Sequence, residues 1–164
     1  MSQTLKKNKE IQGKQELLLV SLNNFYLDSK NKDCIINILN GEGKISLRII
    51  DWFVTNYSKK NNICWMNNNN NNRFVVYLNY KAQLKAYSKK QFDPFCRRER
   101  IVYYYSEDES ILTTVGQLNF FKWLFEYDIL NYIQKNFDDI ESSMNKNKLN
   151  IRAKKNISKN NVKV

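Results

Sequence analysis

The chain has 164 residues, 42% of them hydrophobic and 13% aromatic, which is one domain's length with enough apolar material for a packed core. Its net charge of +11 directs attention to anionic partners, namely nucleic acid, an anionic membrane surface or an acidic protein. The absence of histidine excludes Ser–His–Asp and Cys–His nucleophile pairs, histidine general bases and histidine-ligated zinc.

In chain order, residues 1–16 are polar and predict a flexible N-terminus without the apolar run of a signal peptide. Residues 17–27 form an apolar, helix-like segment. Residues 33–39 form a second, with Gly41 placed where a helix stops. A helix over 46–59 follows, in which Ile45, Ile49, Ile50, Trp52, Phe53, Val54 and Tyr57 spread a wide apolar arc. Only Arg48, Asp51 and Thr55 make a polar strip. Residues 63–66 and 73–80 read as strands around the six-asparagine run 67–72, a solvated hairpin tip. Residues 81–91 turn to helical spacing and end at Asp93-Pro94. A basic connector over 95–100 leads to a strand at 101–105, an acidic turn at 107–110 and a short strand at 111–113. Thr114 and Gln117 then have capping-box spacing ahead of a helix to about residue 136, apolar on nearly every face. Residues 145–164 carry too little apolar material to order themselves and predict a basic disordered tail. The organisation expected is a single α+β domain over 17–144: N-terminal helices, a small antiparallel sheet of three or four strands, and a long C-terminal helix packed on it. No apolar run approaches the roughly 20 residues that span a bilayer, so a soluble protein on the reducing side of any membrane is expected. Cys34, Cys64 and Cys96, odd in number and without a CxxC pair, read as reduced thiols.

The charge lies in blocks. Residues 73–105 carry +6 and 145–164 carry +7, while 106–144 carry −6. A compositional reading of the lysine excess competes, because the 25 asparagines, 4 glycines and 1 proline fit A/T-rich codons. The central block still has a functional pattern. Lys81, Lys85 and Lys89 are spaced i, i+4, i+8 along one helix face, and Lys90, Arg97, Arg98 and Arg100 extend the line. A row of cations suits a phosphate backbone, where affinity comes from displacing condensed counterions. Tyr80, Tyr87, Phe92 and Phe95 interleave with them and could stack on unpaired bases. The opposing reading is that these aromatics anchor the helix to the core. The tail adds Lys146, Lys148, Arg152, Lys154, Lys155, Lys159 and Lys163 as a polycation.

Catalysis finds no complete set of groups. Asp93 and Glu99 faintly suggest a metal-dependent nuclease, but Ile101 stands where such a core needs lysine. Asp93 more simply caps the turn at Pro94, and Glu99 pairs with a neighbouring arginine. No glycine-rich phosphate loop is present. The expected function is therefore non-catalytic nucleic-acid binding, with DNA or RNA as partner and no cofactor, metal, membrane or small-molecule substrate. The alternative is an assembly protein that associates with itself or another protein through the apolar helix 115–136.

The strings ISLRIIDWFVTNYSKKNN, YLNYKAQLKAYSKKQFDPFCRRERI and TTVGQLNFFKW carry a resemblance. Over about residues 30–140 the chain resembles a family of small proteins of unknown function in the large DNA viruses of eukaryotes, the giant-virus group. The resemblance implies a setting (host cytoplasm with its viral factory, or the virion), which makes the assembly alternative a virion protein, and it implies no catalytic residues; a nuclear setting is suggested by the basic tail instead.

Overall fold

The computed structural model describes residues 16–162. The expected N-terminal segment thus lies outside the described residues, apart from Glu16. Helix α1 (Glu16–Phe25) and α2 (Ser29–Leu39) open the domain. Asp28 caps α2, its carboxylate accepting from the Lys30 N–H at 2.9 Å. Gly41 ends it at φ +76°, with the Glu42 N–H returning to the Asn37 carbonyl and the Gly41 N–H to that of Ile38. That pair of bonds needs a left-handed residue, which glycine adopts without penalty.

Helix α3 is one rod in three stretches: Leu47–Trp52, a π-helical turn Phe53–Tyr57, and Ser58–Lys60. The Thr55 and Ser58 hydroxyls donate back to the carbonyls of Asp51 and Val54, at 2.7 and 2.8 Å. Such back-bonding loosens the backbone ladder around the wide turn.

Strands β1 (Cys64–Met66) and β2 (Arg73–Val75) pair antiparallel, Cys64 opposite Val75, with the asparagine run as the hairpin tip. Asn67 and Asn70 side chains accept from the N–H groups of Asn69 and Asn72, folding the tip on itself as expected. The strand expected over 73–80 is shorter. Helix α4 (Val76–Gln91) begins at Val76, five residues before the predicted start at 81. Residues 76–80 are rich in strand-forming types, but Asn79 and Tyr80 are needed against α5. Asn79 accepts from the Trp123 indole N–H at 2.7 Å, and Tyr80 packs on Trp123 and Phe92.

Strands β3 (Arg100–Tyr104) and β4 (Ser110–Thr114) form a second hairpin. The fold is α+β, but the single sheet of three or four strands is in fact two separate two-stranded hairpins. Because β2 runs straight into α4, the chain is carried away before β3 can join β1 and β2.

The apolar helix 115–136 is also divided, into α5 (Val115–Glu126) and α6 (Ile129–Lys135), by Asp128 at φ +59°. Thr114 caps α5 as predicted, accepting from the Gln117 N–H at 3.0 Å. Val115, Leu118, Phe120, Phe121, Trp123 and Leu124 are all buried, so α5 is the axis of the core. At roughly 1.5–3 kcal/mol per buried side chain, this helix is the largest source of stability. Its apolar girdle is enclosed by its own chain rather than held out to a partner.

The tail is the largest correction. Helix α7 (Phe137–Asn161) spans most of the segment expected to be disordered. Asp138 and Asp139 lie in its first turn and Lys159 in its last, the order that complements a helix dipole. No glycine or proline interrupts it. Ile140 is buried and Met144 half-buried, anchoring it to α3 and α6. From Leu149 on, every described side chain is exposed, so about 20 Å of helix stands clear of the body. No described helix is long and apolar enough to cross a membrane.

Candidate nucleic-acid interface

The central basic block is shaped from beneath by the start of α5. Gly116 lies against the backbone of residues 90–92. A Cβ there would stand 3.1 Å from the Lys90 carbonyl oxygen and 3.2 Å from the Phe92 nitrogen. Three hydrogen bonds fasten the same segment. Asn119 donates to the Gln91 carbonyl at 2.9 Å, Gln117 to that of Pro94 at 2.8 Å, and the Asp93 N–H to that of Gly116 at 3.3 Å. To reach this seat the chain bends sharply at Ser88, with φ +61° and ψ 168° inside α4.

That bend overturns one expectation. Lys81 and Lys85 share a face of the straight part of α4, but Lys89 and Lys90 lie beyond Ser88 and do not continue their line. All seven predicted cations are nevertheless exposed: Lys81, Lys85, Lys89, Lys90, Arg97, Arg98 and Arg100. Arg97 is partly spoken for. Its Nε and Nη2 donate to both oxygens of Asp93 at 3.0 Å, and its guanidinium lies 5.1 Å over the Phe95 ring. Asp93 is 4% exposed, and Asp93 Oδ1 also accepts from the Phe95 N–H, so it caps the turn and holds Arg97 at once. The hydrogen bond to Asp93 raises the Arg97 pKa further above its already high value. Arg98 and Arg100 make no ion pair among the described residues, so the pairing expected for Glu99 is not found.

The interleaved aromatics divide. Phe92 is buried against Phe120 and Trp123, and Tyr87 stacks on it. Tyr80 is half-buried in the same cluster. These three anchor α4 to the core, and only Phe95 remains near the surface chemistry. Burial raises the Asp51 carboxyl above the usual range, and Asp93 adds to this. Arg97 and Lys89 pull it back. Burial also raises Tyr80, with Asp51 and Asp93 adding to the effect.

Asp51 links the block to the rest of the interface. It lines a cleft of about 230 Å³ with Arg48 and Trp52 of α3, Phe95 of the connector, and Asn147 and Lys148 of α7. On the other side of Trp52 a larger cleft of about 810 Å³ runs between the π-helical turn of α3 and α7. It is lined by Tyr57, Lys59, Lys60, Lys146 and several asparagines. Trp52 and Asn147 line both. Lys148 also starts a row on α7: Lys148, Arg152, Lys155 and Lys159 recur at i, i+4, i+7 and i+11, one helical face. The sequence named these lysines as a free tail. It gave no place to Arg48, Lys59 and Lys60, because nothing local shows that α7 packs across α3.

A basic α+β domain with a projecting cationic helix is the class these features define. The chain belongs to the family of unknown function DUF7197, whose model matches residues 1–164. It is 40% identical over 147 residues to "Uncharacterized protein L507" of Acanthamoeba polyphaga mimivirus, a match covering 84% of this chain and 57% of that protein. The chain thus spans little more than half the length of that relative. The giant-virus family suggested by the three strings is the one found. No solved structure matches.

Proposed function

We propose that this domain binds nucleic acid through its phosphate backbone and performs no catalysis. The observation that carries the reading is the meeting of the two basic blocks. Phe95 of the first and Lys148 of the second line one cleft, although 53 positions separate them in the chain. Lys89 and Arg97 both act on Asp51 in that cleft, and the α7 row leads away from it. Lys89 of α4 and Arg97 of the connector thus act on the same carboxylate whose cleft Lys148 of α7 lines, which supports a shared cationic surface of the kind that displaces counterions from successive phosphates. Arg98 and Arg100 contribute guanidinium groups suited to bidentate phosphate contact. Arg97, held by Asp93, contributes less. The setting proposed is the host cytoplasm with its viral factory, or the virion.

The test is a titration of labelled duplex and single strand with the full chain across a salt series. With about 4–7 phosphates neutralised, the log–log slope on duplex is about −0.9 per phosphate. A flat response, or no binding near about 50 mM salt, contradicts the proposal.

A further inference from the structure

We infer that the trough between α3 and α7 is a seat for a single strand of nucleic acid, with bases on Trp52 and Tyr57 and phosphates on Lys59, Lys60 and Lys146. This rests on the nucleic-acid reading above and narrows it to unpaired strands. Four observations converge on the trough. Its larger lobe, about 810 Å³, lies within the roughly 300–1,000 Å³ typical of ligand clefts. Lys59, Lys60 and Lys146 face one carboxylate there, Asp139, so the lobe is cationic. Tyr57 and Thr55 reach it from the π-helical turn, a distortion that recurs at functional sites. Finally, the Trp52 indole lines both lobes while its buried N–H has no acceptor.

That last point separates Trp52 from the other two tryptophans. Trp123 is fixed by its hydrogen bond to Asn79, and Trp65 stacks on Tyr132 at 5.3 Å. Trp52 has a buried Nε1–H with no acceptor, and no ring packs on it among the described residues. Trp52 packs partly against the core, and the part of the indole left open lines both lobes, where a base can meet it. Asn56, Asn61, Asn147 and Asn150 add amide donors and acceptors for base edges. A duplex hides its base faces within its own stack, whereas a single strand presents them. Cations alternating with aromatic platforms along a concave track are the features such a strand uses.

The experiment uses the full chain, thymidine oligomers and uridine oligomers of about 12 nucleotides, and a duplex of the same length. Either single strand should quench the intrinsic tryptophan fluorescence, and Trp52→Ala should abolish the quench and weaken single-strand binding at least about fivefold. Replacing Lys59, Lys60 and Lys146, all exposed, together by alanine should weaken single-strand binding at least about tenfold and duplex binding less than about twofold. Replacing Lys81, Lys85, Arg98 and Arg100 should weaken duplex binding more than strand binding. The trough is overturned if single strands leave Trp52 unquenched, if the triple variant weakens both forms alike, or if thymidine monophosphate binds as tightly as the oligomer. Should duplex binding with a steep salt slope survive such a result, only the trough falls. Should neither form bind, the broader reading falls with it.

Discussion

At the scale of single residues, three positions carry the shape of the basic block. Gly116 has little space for a side chain, because a Cβ would press on backbone atoms of residues 90–92 at 3.1–3.2 Å. Gly116→Ala is expected to cost about 1–3 kcal/mol, seen as a lower denaturation midpoint with an unchanged slope. Ser88 sits at φ +61° and ψ 168°, where only glycine is at ease. Its one compensation is a 3.4 Å bond from the Lys90 N–H to its hydroxyl. Ser88→Gly should therefore stabilise the fold by about 1 kcal/mol, measured as a raised Tm. Asp51 gives the pH dependence. Its folded pKa is raised, so the folded state binds a proton more readily than the unfolded chain does. Its contribution is favourable below the ordinary value of 3.8 and is lost as pH rises through the folded value. Asp51→Asn, which mimics the protonated form, should raise Tm near neutrality, and the gain should vanish as pH falls below 3.8. A gain that grows toward acid would reverse the sign assigned to this carboxyl.

At the scale of elements, what the sequence made legible was set by local chemistry. The cap at Thr114, the stop at Gly41 and the asparagine hairpin tip each depend on neighbours within a few residues, and each is present. The errors occur where distant contacts decide. Val76 starts a helix in strand-like sequence because Asn79 and Tyr80 serve α5. Asp128 breaks an unbroken apolar period by adopting a left-handed backbone. Residues 145–161 lack a core-facing stripe, yet they continue a helix already nucleated at Phe137 and anchored by Ile140. The candidate cations were legible as residues but not as a surface, since the Ser88 bend and the α7–α3 crossing are tertiary. The α7 row offers an element-scale test. Ala153→Pro should remove helical circular dichroism without lowering the cooperative melt, because the exposed half of α7 contributes little to the core. It should also flatten the salt slope by up to about 2, the loss of Lys155 and Lys159 from the row. An unchanged slope would mean that the outer half of α7 does not meet phosphate.

At the scale of the whole molecule, the fold separates two tasks. The enclosed helix α5 supplies stability and seats the 90–97 segment, while α4, the connector and α7 carry exposed charge around the α3 trough. Most apolar side chains of α5 lie inside the domain's own core, whereas the cations stay in solvent. The acidic hairpin turn at Glu107–Glu109 and the acidic first turn of α7 keep negative charge in separate patches. The measurement that tests the account most directly is fluorescence anisotropy of a labelled oligonucleotide with the full chain, repeated from about 50 to 200 mM salt. The account predicts binding at low salt that falls by orders of magnitude across that range. Absence of binding at low salt, or affinity that does not change with salt, would contradict it.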